Sequence, residues 1–122
     1  MPKGASMQYM LLIYNQTGDV NRTEEQWDEI IPKYRAYGDM LRAREAYVSA
    51  APLAPPSSAT TLRMQQGQKA VLDGPFAETK EWLGGYYVVN AATLDEALRY
   101  AEQCPALQHG AAVEVRPVLD TA

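Results

Sequence analysis

The hydrophobic pattern changes its period several times along the chain, and each change marks an element. MQYMLLIYN, from Met7 to Asn15, is an apolar run rich in strand formers and short enough for a buried strand. A polar turn from Gln16 to Arg22 leads into Thr23-Glu24-Glu25-Gln26, a Thr-x-x-Gln capping box that predicts a helix start. From Trp27 onward apolar or aromatic residues recur at Ile30, Ile31, Tyr34, Tyr37 and Leu41, the spacing of one helix face laid on a core. Pro32 lies inside this helix and predicts a kink between Asp28 and Pro32, because proline removes a hydrogen bond and pushes against the preceding turn. EAYVSAA, Glu45 to Ala51, reads as a short second strand, and the proline-rich PLAPPSSA as irregular loop.

The second half follows the same logic. Thr60 to Gln65, a turn at Gln66-Gly67, and Lys69 to Asp73 read as a β-hairpin. Beyond the stretch DGPFAETKE, Gly84-Gly85 opens YYVVNA, an aromatic and β-branched strand. Thr93-Leu94-Asp95-Glu96 is a second capping box, and Leu94, Ala97, Leu98 and Ala101 form the stripe of a helix that stops before Pro105. AVEVRPV, Ala112 to Val118, alternates, with Val113 and Val115 on one face and Glu114 and Arg116 on the other. The order predicts an α+β fold, a ferredoxin-like antiparallel sheet with two helices on one face. Several strands are apolar on both sides, which predicts that the bare face of the sheet is covered by another copy, in a homodimer.

Composition narrows the function. A chain of 122 residues fits one domain, with residues 1–6 excluded from the fold as a polar, disordered start or expression scar. The net charge of −4 with scattered Lys and Arg argues against nucleic acid, and no apolar run approaches the roughly 20 residues of a membrane span. One cysteine excludes an intrachain disulfide, and the absence of a signal-like start predicts a cytoplasmic protein. One histidine and one cysteine supply no zinc set, so no metal or cofactor is predicted. His109 reads as a solvated loop residue, and Cys104 as a small buried hydrophobe rather than a nucleophile.

The richest stretch is Asp73 to Glu81. As scaffold, Asp73 bonds the backbone that follows it, Gly74 takes a conformation other residues avoid, Pro75 stiffens the turn, and Phe76 plugs the core. As a site, the rigid turn presents Asp73, Glu78, Lys80 and Glu81 for acid–base chemistry beside a pocket formed with Tyr14, Arg63 and Tyr86. Composition alone leaves both readings open.

YMLLIYN, APPSSATTLR, LDGPFAETKEWLGGYYVV, LDEAL, CPA and VEVRPV, in this order between Met7 and Val118, resemble the DGPF branch of the YCII-related proteins. The resemblance implies a single domain over residues 7–120 and a dimeric α/β barrel in which two ferredoxin-like units oppose their sheets. It also implies a small organic ligand, since some relatives act on small aromatic compounds. Association of many members with extracytoplasmic-function sigma factors implies an alternative, a regulatory accessory protein acting by protein contacts; a third reading makes the loop purely structural at the dimer interface. Two departures stand out. The first strand carries Tyr9 and Tyr14 but no histidine, so the histidine–aspartate pair proposed for other branches has no counterpart there, and Ala50-Ala51-Pro52-Leu53 stands where a Gly-Glu pair commonly precedes the leucine.

Overall fold

A computed structural model describes residues 7–16 and 22–121 of the chain. The polar start at residues 1–6 lies outside the described residues. Strand β1 (Met7–Gln16) is followed by α1 (Glu24–Ala43), β2 (Tyr47–Pro52), the hairpin strands β3 (Thr60–Gln65) and β4 (Gln68–Asp73), β5 (Glu81–Ala91), α2 (Leu94–Glu102) and β6 (Ala112–Pro117). β2, β5, β1 and β6 form an antiparallel sheet in that spatial order, and β3 and β4 pair only with each other. This is the ferredoxin-like α+β plan with a hairpin inserted between β2 and β5.

The helix starts follow the capping chemistry. The Gln26 N–H donates to Thr23 Oγ1 at 3.2 Å and the Thr23 N–H to Gln26 Oε1 at 2.8 Å, closing the box on both sides. At α2 the Glu96 N–H donates to Thr93 Oγ1 at 3.2 Å, but the Glu96 carboxylate accepts from the Ala92 N–H, one residue before the cap. The α1 assignment runs unbroken through the exposed Pro32. Its C-terminus explains why β2 begins at Tyr47 rather than at Glu45. Glu45 takes φ 58°, and the Ala46 N–H reaches back to the Leu41 carbonyl at 2.8 Å while the Glu45 N–H bonds the Arg42 carbonyl at 3.0 Å, a Schellman stop without its usual glycine.

Alternation along β1 sends Tyr9, Leu11 and Ile13 into the core against Tyr37 and Leu41 of α1 and Ala97, Tyr100 and Ala101 of α2, so both helices cover one face. The Tyr37 hydroxyl donates to the Tyr100 carbonyl at 2.7 Å, tying α1 to α2, and its ring meets Tyr87 edge-on with centroids 5.1 Å apart. Cys104 is fully buried beneath them. The other face carries Met10, Leu12 and Tyr14, each paired across the sheet with β5 or β6.

The apolar stripe of α1 packs over only part of its length. Ile30, Tyr37 and Leu41 are buried, whereas Trp27 and Ile31 are 44% and 43% exposed. A stripe of correct period therefore does not lie wholly on a core here; its first half overhangs an open space described below.

Candidate functional site

One face of α1, from Trp27 to Arg42, roofs a cavity of about 390 Å³. Trp27, Ile30, Ile31, Tyr34, Gly38 and Arg42 recur at helical spacing along the roof, with Arg22 and Arg35 beside them. The floor comes from the neighbouring ends of β1, β2 and β5: Ile13 and Asn15, Tyr47 and Ala50 to Pro52, and Gly84 to Tyr87. A volume of this order holds a small organic molecule.

Two glycines of β5 shape the floor. The β1–β5 register shifts between Ile13 and Tyr14, so that Ile13 faces Gly85, Tyr14 faces Leu83 and Gly84 is the extra residue. A Cβ on Gly84 would lie 2.0 Å from Asn15 Nδ2, and one on Gly85 would lie 3.0 Å from the Ala51 carbonyl oxygen. The pair therefore sits inside a long strand rather than opening one, and its missing side chains let the 8% exposed Asn15 amide and the β2 backbone approach β5.

At the roof, Gly38 serves a similar purpose. Its bare Cα accommodates the Arg42 guanidinium, whose Nη1 would stand 3.1 Å from a Cβ there. The guanidinium carbon lies 4.1 Å from the centre of the Tyr47 ring, a cation–π stack. Arg22 makes a looser stack on Trp27, at 5.3 Å. Among the described residues the cavity lining contains three arginines and no carboxylate.

Tyr34 and Tyr87 in the lining add phenols, and Tyr37 adjoins them from the core. Burial raises the Tyr34 and Tyr37 phenols well above their ordinary 10, with smaller raising contributions from the Cys104 thiol and neighbouring phenols. The Tyr87 phenol is pushed up to about 12, again first by burial, then by Cys104 and Tyr47, against the lowering influence of Arg42. At neutral pH these groups are therefore uncharged O–H donors. Below pH 10 the phenols are protonated in both the folded and unfolded chain, so stability is insensitive to them. Above it the unfolded chain ionises first, and stability falls as pH rises through about 12. Spectrophotometric titration should show the phenolate absorbance of the folded chain, with its eight tyrosines, lagging behind that of the denatured chain above pH 10. Coincident curves would contradict the burial of these rings.

The residues singled out from DGPFAETKE fall elsewhere. Asp73 is the exposed last residue of β4, Glu78 and Lys80 are exposed in the following loop, and Glu81 is the exposed first residue of β5, opposite Gln16. Arg63 lies on β3 with its guanidinium 5.1 Å from the centre of the Phe76 ring, and Tyr14 lies on the outer face of the sheet. Of these and Tyr86, Tyr86 alone lines the cavity.

Two expectations about this loop need correction. Phe76 is 72% exposed in the single chain and does not plug the core, because the hairpin that carries it is not part of the main sheet. Gly74 does take a left-handed φ of 103°, and it also anchors the turn: its N–H donates to the Ala59 carbonyl and its carbonyl accepts from Thr61 Oγ1, both at 2.7 Å. These bonds do the tethering that Asp73 was expected to do.

Cys104 matches its expectation as a buried hydrophobe, and burial pushes its thiol above the usual range. His109 differs. It belongs to a short 3-10 turn, Pro105–His109, and its Nε2 is buried without a hydrogen-bond partner rather than solvated. Among the described residues no cluster of His, Cys, Asp and Glu could hold a metal, and no helix is long and apolar enough to cross a membrane.

The residues that sequence reasoning missed are the arginines, Asn15 and Tyr34. Their signal was faint: Tyr34 shares the helix stripe with core residues, and Arg42 reads as an ordinary basic residue in a last helical turn.

An uncharacterised protein of Rhizobium meliloti (strain 1021) is 38% identical over 119 residues, covering 92% of each chain. Residues 7–122 match the family profile described as the YCII-related domain. With the inserted hairpin, the ferredoxin-like sheet and this match over nearly all of its length, the chain belongs to the YCII-related family.

Proposed function

We propose that this protein binds a small organic molecule in the cavity between α1 and the β2–β5–β1 floor. The observation that carries this reading is the cavity itself: about 390 Å³ under an overhanging helix, lined by Trp27 and four tyrosines with a few polar groups. A rigid apolar container with a small number of oriented donors is what small-ligand recognition requires. A regulatory protein working by surface contacts would have no need of it.

Ala50 provides the test. It lies on β2 opposite Tyr87 and lines the floor, so Ala50→Phe should fill the cavity. Fragments that bind the wild type in ligand-observed NMR are expected to lose at least about tenfold in affinity for the filled variant, a change of roughly 1.4 kcal/mol. Binding that survives in a folded Ala50→Phe protein would locate the site elsewhere, with the Asp73, Glu78, Lys80 and Glu81 loop as the next candidate.

A homodimer is the second part of the proposal, and a separate observation favours it. The hairpin leaves Leu62, Met64 and Val71 at 61%, 67% and 60% exposure on one face, with Leu62 paired to Val71 across the strands. A two-stranded hairpin is marginal alone, and contiguous apolar surface of this kind is usually covered. A second copy facing the outer side of the sheet would cover Met10, Leu12 and Tyr14 as well. Light scattering at micromolar concentration should give twice the chain mass; a monomer there would reject the assembly.

A further inference from the structure

Resting on this reading of the cavity, we infer that its ligand is a monoanionic carboxylate with an apolar, flat body, and that Arg42 is the residue that receives the carboxylate.

The charge of the lining points first to an anion. Arg22, Arg35 and Arg42 border the space, and among the described residues no Asp or Glu side chain does. An anionic ligand would meet this charge directly, where a cationic one would be repelled by it. In a chain of net charge −4 such a local excess of cations is a property of the site and not of the protein as a whole.

Arg42 is the best placed of the three. Its guanidinium carbon lies over the Tyr47 ring, 4.1 Å from the ring centre, and the group rests beside the bare Cα of Gly38, so packing meets it on two sides. Stacking occupies the face of a guanidinium and leaves the N–H groups along its edge available, the geometry that meets a carboxylate with two parallel hydrogen bonds. Among the described residues its acidic contact is to Asp39, long at 3.7 Å, with the two side chains 56% and 75% exposed. An incoming carboxylate can therefore take the guanidinium edge without breaking a strong bond. Arg35 has no comparable seat, and Arg22 stacks more loosely, at 5.3 Å, beside a first helical turn that carries Glu24 and Glu25.

The same location selects among anions. Arg42 lies in the last turn of α1, where the negative end of the helix dipole disfavours a second negative charge. A phosphate dianion is better served at a helix N-terminus, and the N-terminus of α1 is already occupied by its own capping box. A single carboxylate fits. The remainder of the ligand would lie along Tyr34, Ile30 and Ile13, a wall that offers faces of rings and aliphatic side chains to a flat apolar group. The neutral phenol of Tyr34 can donate to a polar substituent without adding charge.

The test uses 2-naphthoate and its neutral isostere 2-naphthamide, titrated against the full chain at neutral pH and followed by the NMR shifts of residues around the cavity. The acid should bind at least about tenfold more tightly than the amide, the scale of a hydrogen-bonded charged group. Within each variant the acid-to-amide affinity ratio is the readout: Arg42→Gln should remove the preference, Arg42→Lys should restore part of it, and Arg99→Gln, on α2 and outside the lining, should leave it intact. Equal affinity for acid and amide in the wild type would overturn the anion assignment while the cavity reading stands. Loss of the preference in Arg22→Gln but not in Arg42→Gln would overturn the role of Arg42. Should neither compound bind at millimolar concentration, or both bind Ala50→Phe as well as wild type, the cavity reading falls and this inference with it.

Discussion

Leu41→Ala is expected to destabilise the protein by about 2–5 kcal/mol, the range for truncating a buried leucine. Leu41 is 0% exposed and belongs to the core cluster with Leu11, Val89 and Tyr37, where α1 meets the sheet. Toward Leu11 and Cys104 the surrounding groups resist collapse, because they belong to β1 and to the segment after α2, which the sheet pairing and the Tyr37–Tyr100 hydrogen bond hold in place. The backbone role of Leu41, accepting from the Ala46 N–H at 2.8 Å, survives the substitution, so the loss measures side-chain packing. Against a total stability of about 5–15 kcal/mol for a domain of this size, the variant would lose a large share of its reserve. Urea unfolding at unchanged slope reads the difference, and Leu119→Ala, at an 81% exposed position, is the control expected within about 0.5 kcal/mol. A cost at Leu41 below about 1 kcal/mol would mean that α1 is not seated there.

Gly84→Ala should cost about 1–3 kcal/mol, the usual scale of overpacking. Two effects compete. Replacing glycine by alanine restricts the unfolded chain and, at a position alanine can adopt, stabilises by about 0.4–1 kcal/mol. Here the new methyl would stand 2.0 Å from Asn15 Nδ2 and 3.4 Å from Trp82 Cζ3, so the nearly buried Asn15 amide must move, and steric cost outweighs the entropic gain. The double-mutant cycle isolates the cause. In an Asn15→Ala background the same Gly84→Ala change should lose most of its cost, because the group it strikes is gone. An equal cost in both backgrounds would show that the bulge, and not the Asn15 contact, requires the glycine. Because Asn15 lines the cavity, the single variant should also change ligand affinity without touching any arginine.

Several features of the fold were legible because their causes are local. Thr23 and Gln26 cap α1 through bonds between residues three apart, and the spacing of Ile30, Tyr37 and Leu41 places them on one face whatever that face meets. Gln66 and Gly67 both take positive φ, 51° and 79°, the two-residue turn that joins twisted strands, and the hairpin falls where that pair predicts it. Local chemistry misled where a residue departed from its usual role. Glu45 occupies a left-handed position that glycine normally fills, so the end of α1 and the start of β2 were displaced in the reading.

The candidate site was much less legible. Trp27, Ile31 and Tyr34 obey the same period as Leu41, and nothing in that period distinguishes a side chain that packs from one that overhangs a void. The difference is the separation between α1 and the sheet, which depends on how β2, β5 and the α1 terminus meet. Arg42 likewise reads as a helix-terminal charge until the chain reversal at Glu45 brings Tyr47 beneath it, and Gly84 as a strand opener until the register of β1 brings Asn15 over it. Phe76 erred in the other direction: an isolated phenylalanine beside Gly-Pro has the composition of a core anchor, and only the detachment of the hairpin from the sheet exposes it. The sequence by itself thus determined the elements, their caps and the ferredoxin-like order, since those depend on backbone hydrogen bonds and periodicity within a few residues. Tertiary structure decided where empty space remains and which charges border it, because a cavity is a relation between surfaces distant in the chain and no single segment encodes it.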